Sequence, residues 1–117
     1  MGSMFYRCHG VEQYTITNFD TSKVTSMVSM FRSNSAKKFD LRSFTSESHP
    51  DVLGMFDSCS LVEEIDMRNF DFRYLSGDLA WYLPAGCTLV VKDDVQVQWV
   101  KNNVTVSNYS INIVRPI

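Results

Sequence analysis

Residues Asn18 to Phe31 read NFDTSKVTSMVSMF, and the chain repeats this stretch twice more in altered form. The phenylalanines Phe19, Phe44 and Phe70 mark the copies, because they lie 25 and 26 residues apart. A fixed period of this length is typical of a solenoid, in which each unit buries its apolar side against its neighbours. The pair that ends each copy keeps the same register: Met30-Phe31, Met55-Phe56 and Trp81-Tyr82.

A seven-residue segment with alternating apolar residues precedes each of these phenylalanines. The segments are VEQYTIT at 11–17, AKKFDLR at 36–42 and VEEIDMR at 62–68. Apolar residues two positions apart lie on one face of a β-strand. We therefore predict one short strand per repeat, stacked in parallel, with these inward pairs: Tyr14 and Ile16, Phe39 and Leu41, Ile65 and Met67.

A polar turn and a second apolar set follow each phenylalanine. Spacings of three and four residues in this set favour one or two helical turns, which Thr21 or Ser22 could cap. In the second unit Pro50 fits the first turn of such a helix. His49 stands where the first unit has Val24, and we interpret it as a core histidine. The set in the first unit is Val24, Met27, Val28, Met30 and Phe31.

The repeat pattern changes after residue 82, and we predict that residues 83–117 form a cap on the solenoid. The segment TLVV at 88–91 continues the strand stack. A helix follows from Val95 to Asn102, and Asp93 or Asp94 caps it. The predicted buried side of the helix and two further strand pieces are Val95, Trp99 and Val100, then 104–106 and 109–114.

Charge and cysteine usage limit the possible partners and cofactors. A net charge of −2 argues against nucleic acid or an anionic membrane, and no apolar run approaches the ~20 residues that span a bilayer. Cys8 and Cys59 occupy one repeat position two units apart, about 10 Å in a parallel stack, which is too far for a disulfide. We interpret both, like Cys87, as small buried residues. Without clustered Cys or His, we predict no metal and no cofactor.

The repeated residues follow the pattern MF-x-x-C and then L-x-x-L-x-L-x-x-FDTS-x-V-x-x-M-x-x-MF. This pattern resembles the BspA-type leucine-rich repeats of surface proteins. The resemblance is close over Ile16 to Phe31 and degenerate over Phe39 to Phe56 and Ile65 to Tyr82. The segment LPAGCTLVVKDDVQVQW at 83–99 is similar to the closing unit of that family, so the resemblance covers roughly residues 4–100.

The resemblance implies an α/β fold: a short right-handed leucine-rich-repeat solenoid with parallel strands on one face and short helices or turns opposite. Members of the family are extracellular, as bacterial surface adhesins, similar protozoan proteins, or phage tail and baseplate proteins. They attach to glycans, matrix proteins or cell walls, and the family brings no catalytic motif. This chain departs from the pattern at Asn34, in place of a cysteine, at Thr45, in place of an aspartate, and at His49-Pro50.

Outward positions of the predicted strands form rows of charged residues, and we predict that they are the ligand-facing surface. Carboxylates can accept sugar hydroxyls, and arginine forks can bind anionic groups. The other interpretation is a solvated patch in which each aspartate meets an arginine diagonally on the next strand. A calcium ion between the aspartates is less favoured, because it needs six or more oxygens. The rows pair Lys38 with Glu64, Asp40 with Asp66, and Arg42 with Arg68.

We predict a non-catalytic extracellular binding or adhesion module that recognises a cell-surface glycan or protein, on a bacterial cell or a phage virion. No nucleophile, phosphate-loop or zinc-protease motif is present, and His9 and His49 have no Ser or Cys partner by spacing. The alternative is a structural or oligomerising part of a phage tail or baseplate, since the first repeat presents an unpaired strand edge. We expect residues 1–3 to be a cloning remnant, and 4–82 to be the repeats of a longer protein.

Overall fold

The computed structural model describes residues 4–6, 10–16, 20–74, 83–103 and 111–116. Its five three-residue strands form one parallel sheet in chain order, and the fold is α/β. This order confirms the predicted parallel stack with one strand per repeat. The elements are β1 (Gln13–Thr15), β2 (Lys38–Asp40), β3 (Glu64–Asp66), a 3-10 helix (Phe72–Tyr74), β4 (Thr88–Val90), α1 (Asp94–Asn103) and β5 (Asn112–Val114).

The strand register agrees with the sequence alignment of the repeats. Tyr14, Phe39 and Ile65 are the central residues of β1, β2 and β3, and each lies beside the next. All three are buried, as the alternation predicts. Backbone pairing continues just past the strand ends, where the Leu41 N–H donates to the Asp66 carbonyl at 3.0 Å. The strands are shorter than the seven-residue segments, but the paired segments keep the predicted register.

Two columns of aromatic rings fill the space behind the strands. Phe5, Phe31 and Phe56 stack with nearly parallel rings, at centroid distances of 5.2 and 5.5 Å. Tyr14 stacks on Phe39 at 5.3 Å in the second column. The columns meet edge to face, with 4.9 Å between Phe31 and Phe39, which is the geometry that aromatic pairs prefer. The repeated Met-Phe pair therefore supplies one of the two aromatic columns.

The phenylalanines that define the period are also internal where they are described. Phe44 and Phe70 are completely buried, 26 residues apart. Phe19 lies outside the described residues, so the burial of the repeated phenylalanine is shown for the second and third units.

A ladder of hydroxyl contacts joins the units beside these phenylalanines. Thr21 Oγ1 donates to the Thr45 carbonyl at 3.2 Å and accepts from the Thr45 N–H at 2.9 Å. One unit later, Ser46 Oγ donates to the Asp71 carbonyl at 2.9 Å and accepts from the Asp71 N–H at 2.8 Å. Thr21 and Ser46 are both buried. Each hydroxyl thus satisfies two backbone groups of the next unit. Contrary to the prediction, Thr21 makes this contact and does not cap a helix.

In the third unit Phe72 occupies the hydroxyl position and is completely buried. Here the bonding side chain belongs to the following unit: Gln96 of α1 bonds to residues of the third unit. Its Oε1 accepts from the Phe72 N–H at 2.9 Å, and its Nε2 donates to Asp71 Oδ1 at 2.9 Å. Besides the pairing of β3 with β4, the last repeat is therefore joined to the cap by this amide side chain.

In the first and second units the second apolar sets form turns, so the prediction of helical turns was wrong there. The third unit has a 3-10 helix at Phe72–Tyr74, and the rest of its set lies outside the described residues. Ser29 and Gly54 occupy equivalent positions and have φ values of 57° and 64°. Ser33 and Ser58 are likewise equivalent, with φ values of 57° and 59°. Residues in this left-handed region interrupt a right-handed helix.

The backbone N–H groups of these turns bond to the neighbouring unit, which is the second reason that no helix forms. The Met27 N–H donates to the Asp51 carbonyl at 2.7 Å, and the Phe31 N–H donates to the Met55 carbonyl at 2.9 Å. A helix would use such groups within its own segment. The side opposite the sheet is thus also held together by bonds between units.

His49 and Pro50 differ from their predicted roles. His49 is exposed, with φ at 53°, so the core-histidine interpretation was wrong. Its ring lies 5.5 Å from the ring of Tyr74, which is also exposed. Pro50 is buried and does not begin a helix; it precedes Asp51, which forms an isolated bridge with Ser26.

The closing unit extends the same sheet and adds α1. Asp93 caps the helix, since its Oδ1 accepts from the Gln96 N–H at 3.1 Å. The predicted apolar side was partly wrong, because Val95 is 57% exposed. Val100 is buried and Trp99 packs against the core, as predicted, and the further buried side chains are Gln96 and Val97. Strand β5 pairs in parallel with β4, so the cap contributes two strands to the stack.

Asn34 and the cysteines occupy internal positions. The Asn34 amide donates to the Phe5 carbonyl at 3.1 Å and to the Tyr14 hydroxyl at 2.9 Å, so its departure from the repeat pattern is compensated by hydrogen bonds. Cys59 and Cys87 are buried free thiols, as predicted, and Cys59 Sγ donates to the Phe31 carbonyl at 3.1 Å. Cys8 lies outside the described residues.

Candidate binding face

The candidate binding face is the outward side of β2 and β3 with the residues that follow each strand. It is defined by the six predicted residues Lys38, Asp40, Arg42, Glu64, Asp66 and Arg68. Lys38 lies beside Glu64 in the register, and Asp40 lies beside Asp66. The structure therefore brings the predicted rows together on neighbouring strands.

A depression of about 250 Å³ crosses this face. Five of the six predicted residues line it, and Arg68 joins it through its contact with Asp66. Gln13 of β1 also lines the depression, although the sequence analysis did not include it among the site residues. Its position beside Lys38 in the repeat alignment was the signal that could have identified it. The full lining is Gln13, Lys38, Phe39, Asp40, Arg42, Glu64 and Asp66.

Each arginine of the face forms a bidentate ion pair with the aspartate two residues before it. Arg42 Nε donates to Asp40 Oδ1 at 2.9 Å, and Nη2 donates to Oδ2 at 2.7 Å. Arg68 repeats this geometry on Asp66, with Nε to Oδ1 at 3.0 Å and Nη2 to Oδ2 at 2.6 Å. Two parallel bonds of this kind fix the guanidinium and the carboxylate in one plane.

The expectation of diagonal pairing between strands was wrong, because the pairs form within each strand. The backbone explains the choice. The Arg68 N–H also donates to Asp66 Oδ1, at 3.3 Å, and the Arg42 N–H donates to Asp40 Oδ1 at 3.4 Å. The aspartate therefore turns toward the residue that follows the strand, where its own arginine is already within reach.

The carboxylates of these pairs are recessed and the guanidiniums are more exposed. The Asp40 side chain is 19% exposed against 49% for Arg42, and the Asp66 side chain is 11% exposed against 36% for Arg68. The hydrogen bond from Arg42 lowers the pKa of Asp40, and the same bond raises the pKa of Arg42. Both groups are therefore fully charged at neutral pH.

A third pair has the same geometry away from the binding face. Arg73 Nε donates to Asp71 Oδ1 at 2.9 Å, and Nη2 donates to Oδ2 at 2.7 Å. Its exposures of 49% and 22% match those of the Arg42–Asp40 pair. The hydrogen bonds from Arg73, and after them the bond from Gln96, hold the pKa of Asp71 far below its usual range. This pair lies beside the junction between the last repeat and the cap, where Gln96 bonds to Asp71.

A second cavity, of about 410 Å³, lies at the other end of the sheet. It is formed where β5 and the residues after it meet α1, and an ion pair of 3.0 Å between Arg115 and Asp94 lies at its edge. Its lining is Asp94, Val97, Ile113, Val114, Arg115 and Pro116. The cavity is more apolar than the strand-face depression and shares no residue with it.

Groups with potential chemical reactivity are few in the described part of the chain. Burial raises the pKa of the Cys59 thiol to about 11 and that of Cys87 to about 12, so both are protonated and poorly nucleophilic at neutral pH. Among the described residues, no group of three or more His, Cys, Asp or Glu side chains could hold a metal ion. Within the same ranges, no helix has the length and apolar character that crossing a bilayer demands.

A family model matches a large part of the chain. The family described as "Mycoplasma protein of unknown function, DUF285" matches residues 1–77, which is about two thirds of the chain. No curated protein and no solved structure matches the sequence. The matched segment contains β1, β2 and β3, and therefore the whole candidate binding face.

Proposed function

This chain belongs to the DUF285 family, and we propose that it is a non-catalytic extracellular binding module whose strand face contacts a cell-surface glycan or protein. The observation that carries the proposal is the pair of bidentate Asp–Arg contacts beside a polar depression on adjacent strands. Side chains that are already fixed lose little conformational entropy when a partner binds. A row of such groups is therefore well suited to recognition.

We extend the proposal to the type of repeat. The parallel stack in chain order, the inter-unit bonds and the recurring Met-Phe pairs support a BspA-like leucine-rich-repeat solenoid. A module of that kind belongs on a bacterial cell surface or a phage virion. Its flat strand side is then the surface available to a partner, since the aromatic columns fill the interior.

The test is a binding assay of the labelled protein on a glycan array and on intact host cells. Wild-type protein should bind saturably, and Arg42→Ala and Arg68→Ala should each weaken that binding. Arg73→Ala is the matched control, because it breaks the same kind of ion pair outside the binding face. Wild-type protein that binds neither support, or binding that Arg73→Ala weakens as much as Arg42→Ala does, would remove the proposal.

A structural role in a phage tail or baseplate is the second candidate. Exposed apolar side chains near the first unit favour it, with Met4 50% and Tyr6 40% exposed. Such residues could join a second copy along the β1 edge of the sheet. Light scattering and sedimentation decide the matter: a stable dimer or trimer that Tyr6→Ser dissociates supports this role, and a monomer at all concentrations opposes it.

A further inference from the structure

The charges of the binding face are balanced within the face itself. Its six residues carry three positive and three negative charges. Four of these charges are consumed in the two bidentate pairs, and Lys38 lies beside Glu64 in the register. An anionic partner would find no excess of positive charge here. The guanidinium forks that would bind a carboxylate or phosphate are already occupied by Asp40 and Asp66.

The pairs still offer hydrogen-bonding groups to a neutral partner. In the described part of the chain, the side-chain bonds of Arg42 and Arg68 use Nε and Nη2, which leaves each Nη1 to donate outward. An ionised carboxylate has about four acceptor positions. Asp40 uses three of them, on the side chain and backbone of Arg42. Asp66 accepts four bonds from Arg68, so the recessed acceptor that remains available is on Asp40, behind the projecting arginine donors.

We infer that this depression seats one uncharged sugar unit of a glycan, a ligand class that rests on the proposed function. Sugar hydroxyls both donate and accept, so a single ring can bond to the Asp40 carboxylate and to an Arg Nη1 at the same time. Lys38 and the Gln13 amide add further polar groups at the rim. The binding groups are held in place by each other, which lowers the entropy cost of binding.

The size of the depression agrees with one ring. Its volume of about 250 Å³ lies below the about 300–1,000 Å³ that is usual for pockets that enclose a drug-sized ligand. The lining contains one aromatic residue, Phe39, which is only 1% exposed. A protein partner generally needs exposed aromatic or aliphatic anchors in a larger contact. The face therefore favours a small polar group over a protein surface.

The experiment is an NMR titration of the ¹⁵N-labelled protein. The probes are the methyl glycosides of glucose, mannose and galactose, with the methyl glycosides of glucuronic acid and of N-acetylneuraminic acid as anionic comparators. At least one neutral glycoside should shift the amides of residues 38–42 and 64–68, with a Kd in about the millimolar range. The anionic comparators should bind more weakly than the neutral sugars.

Three variants assign the shifts to the depression. Asp40→Asn and Lys38→Ala should each weaken binding of the neutral glycoside about tenfold. Arg73→Ala should leave it unchanged, since that pair lies off the face. Lys38 is exposed, so its variant keeps the test valid if Asp40→Asn misfolds. The amide positions in β4 and β5 report whether each variant is folded.

Three results would overturn the inference: shifts from none of the neutral glycosides, tighter binding of an anionic comparator, or equal loss in Arg73→Ala. The proposed function is judged separately by the array and cell assay. If that assay detects binding that depends on Arg42 while the neutral glycosides stay silent, the ligand class is wrong and the binding role stands. If neither the array and cell assay nor the titration detects binding, both the proposed function and the ligand class are wrong.

Discussion

Between the second and third repeats, the Ser46 hydroxyl bonds to the backbone N–H and carbonyl of Asp71. Between the third repeat and the cap, Gln96 of α1 reaches back to the Phe72 N–H and the Asp71 carboxylate. A hydroxyl suffices where two similar turns stack, and a longer amide is needed where a helix replaces the turn. The comparison indicates that the ladder of hydroxyl contacts ends where Phe72 takes the hydroxyl position.

The largest expected difference between repeats and cap is the loss in free energy of unfolding when a buried side chain is truncated, and it should be greatest in the aromatic core of the repeats. Phe31 stacks between Phe5 and Phe56 in one aromatic column and meets Phe39 of the other column edge to face. We expect Phe31→Ala to lower the free energy of unfolding by about 3–5 kcal/mol. Val100→Ala in the cap removes less buried surface and should cost about 2 kcal/mol. Urea unfolding followed by circular dichroism measures both, and equal losses would show that the cap is as critical as the repeats.

The two junctions are compared by Ser46→Ala and Gln96→Ala. Each change leaves backbone groups without a buried partner, at a cost of about 1–3 kcal/mol. The local effect should differ: Ser46→Ala exposes the Asp71 amide to hydrogen exchange, and Gln96→Ala exposes the Phe72 amide. Exchange rates by NMR separate the two. If Gln96→Ala leaves the Phe72 amide protected, Gln96 does not join the cap to the repeats.

Of the two junctions, the one between the third repeat and the cap should be more sensitive to acid, because it uses the Asp71 carboxylate, whose pKa is held low in the folded protein. A lowered folded pKa means that the stabilisation is complete above the unfolded value of about 3.9, and is lost as the pH falls through that value toward the folded pKa. Asp71→Asn should therefore flatten the fall in thermal midpoint below about pH 4. An unchanged acid slope in this variant would contradict the assignment.

The smallest expected effect is the stability difference between Arg42→Ala and Arg73→Ala. Both arginines form matched, half-exposed ion pairs. Pairs of this kind contribute little to folding because water screens them. The two variants should have thermal midpoints close to that of the wild type and to each other, while only Arg42→Ala weakens binding. A large loss of stability in Arg42→Ala would assign its pair to folding instead of recognition.

The sheet could be predicted from the sequence because its signals are local and repeated. Tyr14, Phe39 and Ile65 alternate with polar neighbours at a constant period, so both the strands and their register follow. The same alignment places Asp40 beside Asp66, as the register does. The face of the candidate site is therefore a consequence of the period.

The turns and the exact pairing of charges could not be predicted in this way. Spacings of three and four residues suit a helix, but backbone bonds to the next unit and left-handed Ser29 and Ser33 decide otherwise. Likewise, the sequence does not tell whether Arg68 turns to its own strand's aspartate or to a neighbour's. In α1 the usual burial of apolar side chains over polar ones is reversed at two positions. Gln96, whose side chain is hydrogen-bonded, is buried, and Val95 is exposed.

The parallel register of the units is what all these comparisons depend on, and scalar couplings across backbone hydrogen bonds test it most directly. A long-range HNCO spectrum should connect the Leu41 amide with the Asp66 carbonyl, the Met67 amide with the Val90 carbonyl, and the Val91 amide with the Val114 carbonyl. These cross-peaks would place Asp40 and Asp66 side by side. Cross-peaks from the same amides to carbonyls outside the next unit would contradict the stack and remove the binding face with it.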